Sequence, residues 1–361
     1  MIIAITGASQ NDKRDSFNYM IGIIKVLMAF EVILCHYWTA GDTNSILLDP
    51  FIKLRLKAVP VFIVTSFFYL GLKLLRAPVH DFYKSRIQRL LIPYVGWAIV
   101  YYLVFCVCEN VFSGPFAGSV TLKSLGWQLL LGACWELCPQ LWYQADLIII
   151  TVLVLALFVK LKRITAYRVC FCLSMIALIL QYTGINYKAF GELPIESKYT
   201  IGRICEMLPL SFAGLVLAVS VNQITKEPTF SQARQRWIAF GSLLMVIFIY
   251  RFKVFAGVEL NFAYAGFDSI CLAIGIVLFG IMMPLSNLPG IIKRIILFLS
   301  RFTFGVFCIH WAVGKYMMEI MKQHDIIAGT FPQCVAIMGI SYVILWLFSL
   351  LPLRCVQYLV E

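Results

Sequence analysis

Apolar runs of about 20 residues recur from one end of this 361-residue chain to the other, and no other feature restricts its fold as much. Backbone N–H and C=O groups placed in hydrocarbon must be satisfied within the segment, so such runs fold as helices crossing about 30 Å of lipid. The polar intervals between them are too short to hold a second folded domain. An all-α, polytopic membrane protein is therefore expected, with residues 1–361 forming a single integral-membrane domain. Composition agrees: 61% of residues are hydrophobic and 13% charged, where a soluble domain has roughly 25% charged.

Hydropathy places ten spans near 17–38, 58–75, 90–112, 141–160, 167–183, 203–221, 237–254, 267–285, 302–320 and 334–352. With the N-terminus inside, the cytoplasmic connections collect 18 of the 30 basic residues and the opposite connections 11, with Lys25 inside the first span. That asymmetry favours cytoplasmic termini, with 1–16 as a cytoplasmic segment, in the cell (inner or plasma) membrane. Charged Asn11-Asp-Lys-Arg-Asp15 stands directly before the first span without a small-residue cleavage signature, which argues against a removed signal peptide. The interval 113–140 is apolar enough to lie in the interface but too short to cross, and reads as an interfacial or re-entrant segment. Lys53, Arg55 and Lys57 sit on the outer side, as snorkelling residues or as a contact for an anionic acceptor.

Several function classes drop out. Most of the 12 cysteines lie in or beside apolar spans and act as small hydrophobes; Cys134 and Cys138 are the one pair placed to bridge. No Cys and His pattern suits zinc, so no metal site is expected. The net charge of +12 resides in connections where topology already demands it, so nucleic-acid binding is not supported. No internal repeat, phosphate-cradling glycine loop or GxSxG elbow is present, which leaves the chemistry to isolated polar residues in the spans.

The first span carries Lys25, Glu31 and His36, costly residues in a membrane. Lys25 and His36 are eleven positions apart, which returns them to within roughly 20° of one helix face, about 16 Å apart along the axis; Glu31 falls on another face. A neutral imidazole can take a proton from a hydroxyl and return it, which makes His36 a candidate base; beside Tyr37 and Trp38 it also fits an interfacial aromatic belt. Lys25 lies too deep for easy snorkelling and needs an anionic ligand or an acidic partner. Arg86 and Arg89, three apart at the inner end of the third span, share a helix side where their forks can grip phosphate oxygens, although positive-inside topology alone also puts arginines there. Trp142, Gln144 and Asp146 open the fourth span, and His310 lies about eight residues into the ninth, where a hydrogen bond to a neighbouring helix would satisfy it.

Taken together these residues resemble the acyltransferase family 3 membrane proteins, which include bacterial sugar O-acetyltransferases acting on surface polysaccharides. Lys25-x10-His36 is similar to that family's Arg/Lys-x10-His signature, and Val59-Pro-Val-Phe-Ile-Val-Thr-Ser66 to its second-span segment, with Phe67 where the family has glycine. Arg86-x-x-Arg89 with Pro93, Leu141-Trp142-Tyr143, Pro209 through Gly214, and Ser300 through His310 resemble four further stretches, in order and spacing. The resemblance implies a membrane O-acyltransferase moving an acyl group, acetyl in the first instance, from acyl-CoA to a hydroxyl of a cell-surface carbohydrate or lipid-linked glycan. It implies His36 as base or acyl carrier, Lys25, Arg86 and Arg89 on the donor, Ser66, Trp142 and His310 in support, and no permanently bound cofactor, acyl-CoA being a co-substrate. Two other readings fit the residues alone: a transporter or flippase of a glycan, lipid-linked sugar or acyl compound, and a membrane-embedded sensor or scaffold.

Overall fold

The computed structural model describes residues 17–37, 58–112, 120–132, 137–182, 195–227, 229–255, 266–283, 285, 287–325, 329–351 and 359. Among these there is no strand. Eleven helices follow in order: α1 (Tyr19–Tyr37), α2 (Ala58–Arg76), α3 (Tyr83–Phe112), α4 (Leu122–Leu131), α5 (Trp142–Lys160), α6 (Arg163–Tyr182), α7 (Ile195–Lys226), α8 (Gln232–Phe255), α9 (Phe267–Met282), α10 (Gly290–Gln323) and α11 (Thr330–Ser349). Each of the ten expected spans coincides with one of them, and eight are long and apolar enough to cross a membrane. The other two are α8, whose apolar stretch is bounded by Arg236 and Arg251, and α9, at 16 residues shorter than the roughly 20 a perpendicular crossing needs.

Three helices, α3, α7 and α10, run well past the expected limits. α3 begins at Tyr83 rather than near 90, which makes Arg86 and Arg89 part of the helix itself. α10 spans 34 residues, and its first dozen carry Lys293, Arg294 and Arg301. Among the described residues of 113–140 the chain forms the 10-residue α4, too short to cross, and the start of a 3-10 turn at Pro139–Leu141. Thr121 and Ser124 exchange side-chain and backbone hydrogen bonds at its start, and Gly132 ends it at φ 70°, where a Cβ would also lie 2.3 Å from the Ala145 side chain. Cys134 lies outside the described residues.

Two close helix pairs organise the bundle. α1 and α10 run parallel in one register: Tyr19 meets Lys293, Gly22 meets Ile296, His36 meets His310 and Tyr37 meets Trp311, each pair 274 residues apart. Gly314 lets the Tyr37 ring lie on the α10 backbone, since a Cβ there would sit 2.1 Å from it. α2, the most enclosed span, packs on α7 through small residues: a Cβ on Gly214 would stand 2.5 Å from the Val64 carbonyl and 2.9 Å from the Phe67 Cβ. The close approach at Phe67 thus comes from the glycine on α7, not from α2. Side chains then tie the ends together. Asn18 caps α1 by accepting from the Ile21 N–H (3.0 Å) while donating to the Ile281 carbonyl (3.3 Å), and Arg163 donates to the Leu74 carbonyl near the end of α2 (2.6 Å).

Candidate active site

On α1, the arc around Lys25 and His36 is otherwise closed. At about 100° per residue, Ile21, Gly22, Met28, Ala29, Val32 and Ile33 share that side and are all buried, whereas Lys25 is half-buried and His36 exposed. Openness on a face walled by buried neighbours is openness to a cleft between helices, not to lipid. α2 shows the same pattern: Phe62, Ser66, Tyr69 and Lys73, at i, i+4, i+7 and i+11, form a half-buried stripe on a helix that is otherwise mostly enclosed.

A continuous line of contacts joins these stripes. At the inner end Arg86 Nη2 donates to Ser66 Oγ at 2.6 Å. One turn along α2 from Ser66, the Phe62 ring lies 6.3 Å from that of Tyr143 and 6.4 Å from that of Phe307, which are themselves 5.4 Å apart. Phe307 is followed on α10 by His310 at 6.0 Å, and the His310 ring stands 5.3 Å from that of His36. Trp311 closes the edge of His36, also at 5.3 Å. The sequence-derived residues Arg86, Ser66, His310 and His36 are thereby strung along one path, from the start of α3 to the end of α1.

The two imidazoles differ. His310 is fully buried, and its Nδ1 lies 2.7 Å from the Phe307 carbonyl and 3.3 Å from that of Val306. Carbonyls only accept, so Nδ1 carries the proton and Nε2 holds a lone pair, with no hydrogen-bond partner. His36, the more open of the two, has its ring centre 5.3 Å from that of His310. Such an arrangement lets one imidazole exchange protons with a ligand while the other accepts a hydrogen bond from it.

At the inner end the charges are all of one sign. Arg86 interacts electrostatically with Arg89 and Tyr143, and Lys73 with both arginines, while the Lys73 ammonium also sits 5.0 Å from the centre of the Phe82 ring. Arg86 Nε has no partner, and Lys25, Lys73, Arg86 and Arg89 form no ion pair among the described residues. Lys73 was legible in the sequence only as a topological charge; its place on the Phe62–Ser66–Tyr69 stripe puts it on the cleft. Tyr143 and Phe62 were given no role of their own, although both lie in stretches already quoted for the resemblance, Leu141–Tyr143 and Val59–Ser66.

Trp142 is not brought to the histidines. Its ring carries the Arg203 guanidinium at 5.4 Å, and Arg203 Nε donates to the fully buried Asp146 at 3.0 Å. Gln144, on the same helix, donates to the Leu90 carbonyl at 2.7 Å, one residue beyond the Arg89 carbonyl from which Pro93 withholds its helical donor. Glu31 is buried on its own face of α1, away from the cleft. Arg203, counted in the sequence among the outer connections, instead belongs to an ion pair inside the bundle.

No curated protein and no solved structure matches the chain. A family model described as an acyltransferase domain matches residues 18–350, a range that includes every residue of the path from Arg86 to His36. The chain is a member of that acyltransferase family, acyltransferase family 3.

Proposed function

We propose that the chain is a membrane-bound O-acyltransferase that takes an acyl group, most simply acetyl, from acyl-CoA on the cytoplasmic side and passes it to a hydroxyl of a cell-surface carbohydrate or lipid-linked glycan. The observation that carries this reading is the contact path with unpaired cations at one end and an open imidazole at the other. Lys73, Arg86 and Arg89 form a cationic mouth suited to the phosphates of CoA, with both termini on that side. Lys25, further along the same cleft, suits the remaining negative charge of the donor or the thioester oxygen as charge develops on it. The pantetheine arm then lies along Phe62, Tyr143 and Phe307. His36 takes the proton of the acceptor hydroxyl as its oxygen attacks the thioester carbon. The C–O bond forms, the C–S bond breaks, and the proton passes from His36 to the departing thiolate, leaving free CoA and the ester.

The test is transfer of radiolabelled acetyl from acetyl-CoA to glycan in membranes carrying the wild type or His36→Ala. Label in glycan with the wild type, reduced about 100-fold or more in the variant, is expected. Equal labelling by both would remove His36 from the chemistry. Glycan that stays unlabelled but crosses the membrane with the wild type would replace the transferase by a carrier.

A further inference from the structure

His310 sits on a turn of α10 that side chains from other helices grip. The Cys308 carbonyl and the Ala312 N–H, four residues apart in the α10 ladder, both meet the Tyr101 hydroxyl of α3, which donates to the Cys308 carbonyl at 2.7 Å and accepts from the Ala312 N–H at 3.3 Å. Gln140, in the short turn before α5, donates to the same carbonyl at 2.7 Å and to the Tyr101 oxygen at 2.6 Å. From α1, Tyr37 donates to the Trp311 carbonyl at 2.9 Å. Side chains from three other parts of the bundle thus converge on one turn, and Tyr101 and Gln140 are only 2% and 1% exposed.

The helix has no need of this convergence for its own hydrogen bonds. A phenol and an amide in the middle of a membrane bundle are costly to bury, and apolar side chains of similar size would fill the same space. What the added hydroxyl does is hold the direction of the neighbouring carbonyls, because it is bonded to two backbone groups of that turn at once. The Phe307 carbonyl, in the same turn, is the one that receives the His310 Nδ1–H.

We propose that Tyr101, backed by Gln140, is a positioning residue for His310: its hydroxyl, bonded to the Cys308 carbonyl and the Ala312 N–H on either side of His310, holds the α10 turn in which the Phe307 carbonyl keeps the Nδ1–H and leaves the Nε2 lone pair available to His36. His310 then accepts a hydrogen bond from a His36 N–H and steadies the imidazolium formed when His36 takes the acceptor proton. The second step rests on the transferase reading above; the first is a statement about structure and stands without it.

The test uses Tyr101→Phe, which keeps the ring and removes the hydroxyl, in the full-length protein. The chain has four histidines, so 15N NMR of histidine-labelled protein, with His310→Ala to identify the signal, reports the tautomer of His310 directly. The expected result is a single Nδ1–H tautomer in the wild type and a mixture in Tyr101→Phe. In acyl transfer, kcat falls about 10-fold while KM for the acyl donor stays within about 2-fold, and Tyr101→Phe adds nothing in a His310→Ala background. An unchanged tautomer in the variant overturns the proposal, as does a kcat loss that persists fully without His310. A wild type that transfers no acyl group defeats the transferase reading, while the NMR result still decides the positioning role. Should Tyr101→Phe not fold, Gln140→Leu is read in the same way, with a smaller shift expected.

Discussion

The bundle holds arginine in two ways. Near the start of α5, Arg203 donates to Asp146, which is 0% exposed, and lies over Trp142, so its charge is answered from within the protein. At the start of α3, Arg86 donates to a neutral hydroxyl, with Arg89 and Lys73 close by and, among the described residues, no ion pair to any of the three. A paired ion inside a membrane protein needs nothing further, whereas a group of like charges does. The first arrangement locks α5 to α7. The second is unfavourable until an anion arrives, and an arginine fork matches phosphate oxygens in geometry as well as charge.

This contrast is best broken at its stronger side first. Asp146→Ala leaves Arg203 without its carboxylate, and is expected to cost about 3–5 kcal/mol of stability, read as thermal unfolding in detergent. Adding Arg203→Met to it should recover much of that loss. A single variant as stable as the wild type would show that the pair is not a lock.

Ser66→Asp should make the inner site resemble the outer one. A carboxylate facing Arg86 supplies the missing partner, so the unfolding temperature is expected to rise. Affinity for acyl-CoA should fall by roughly 10- to 100-fold, the scale of one charge-assisted hydrogen bond of about 1.5–3 kcal/mol. Binding of acyl-CoA that is undiminished, measured by equilibrium dialysis, would place the donor phosphates elsewhere. The smallest effect belongs to Lys73→Gln, at the mouth of the cleft: KM for acyl-CoA should rise about 2- to 5-fold at low salt, with the difference shrinking as salt screens the charge. A loss independent of ionic strength would indicate packing against Phe82 instead.

Reading the sequence located the spans because length and hydropathy are local properties, and it singled out His36, Lys25, Arg86 and Arg89 because charge in an apolar run is conspicuous. Ser66 came from resemblance and His310 from its depth in the ninth span, with its supporting role from resemblance; the structure puts Arg86 beside the first and His36 beside the second. Tyr101 and Gln140 were not legible. A tyrosine at 101 stands among other aromatic and aliphatic residues on α3, and nothing local distinguishes a hydroxyl that enters another helix 207 residues away. The role of Asp146 was hidden for a related reason, since its partner Arg203 read as an outer, topological charge. The long inner extensions of α3 and α10 were trimmed because their charges lowered the hydropathy there, although helices continue into water at no penalty to their hydrogen bonds.

The shared register of α1 and α10 has a consequence for biogenesis. Ribosomes add about 5–20 residues per second, so His36 enters the membrane roughly 15–55 s before His310 has been made. Through that interval α1 waits with a lysine, a glutamate and a histidine and without the helix that covers its seam. Helices made in between, α2 and α9 among those that touch it, must shelter it in the meantime. The half-built protein is therefore the state most exposed to quality-control proteolysis, and the site is completed only near the end of synthesis.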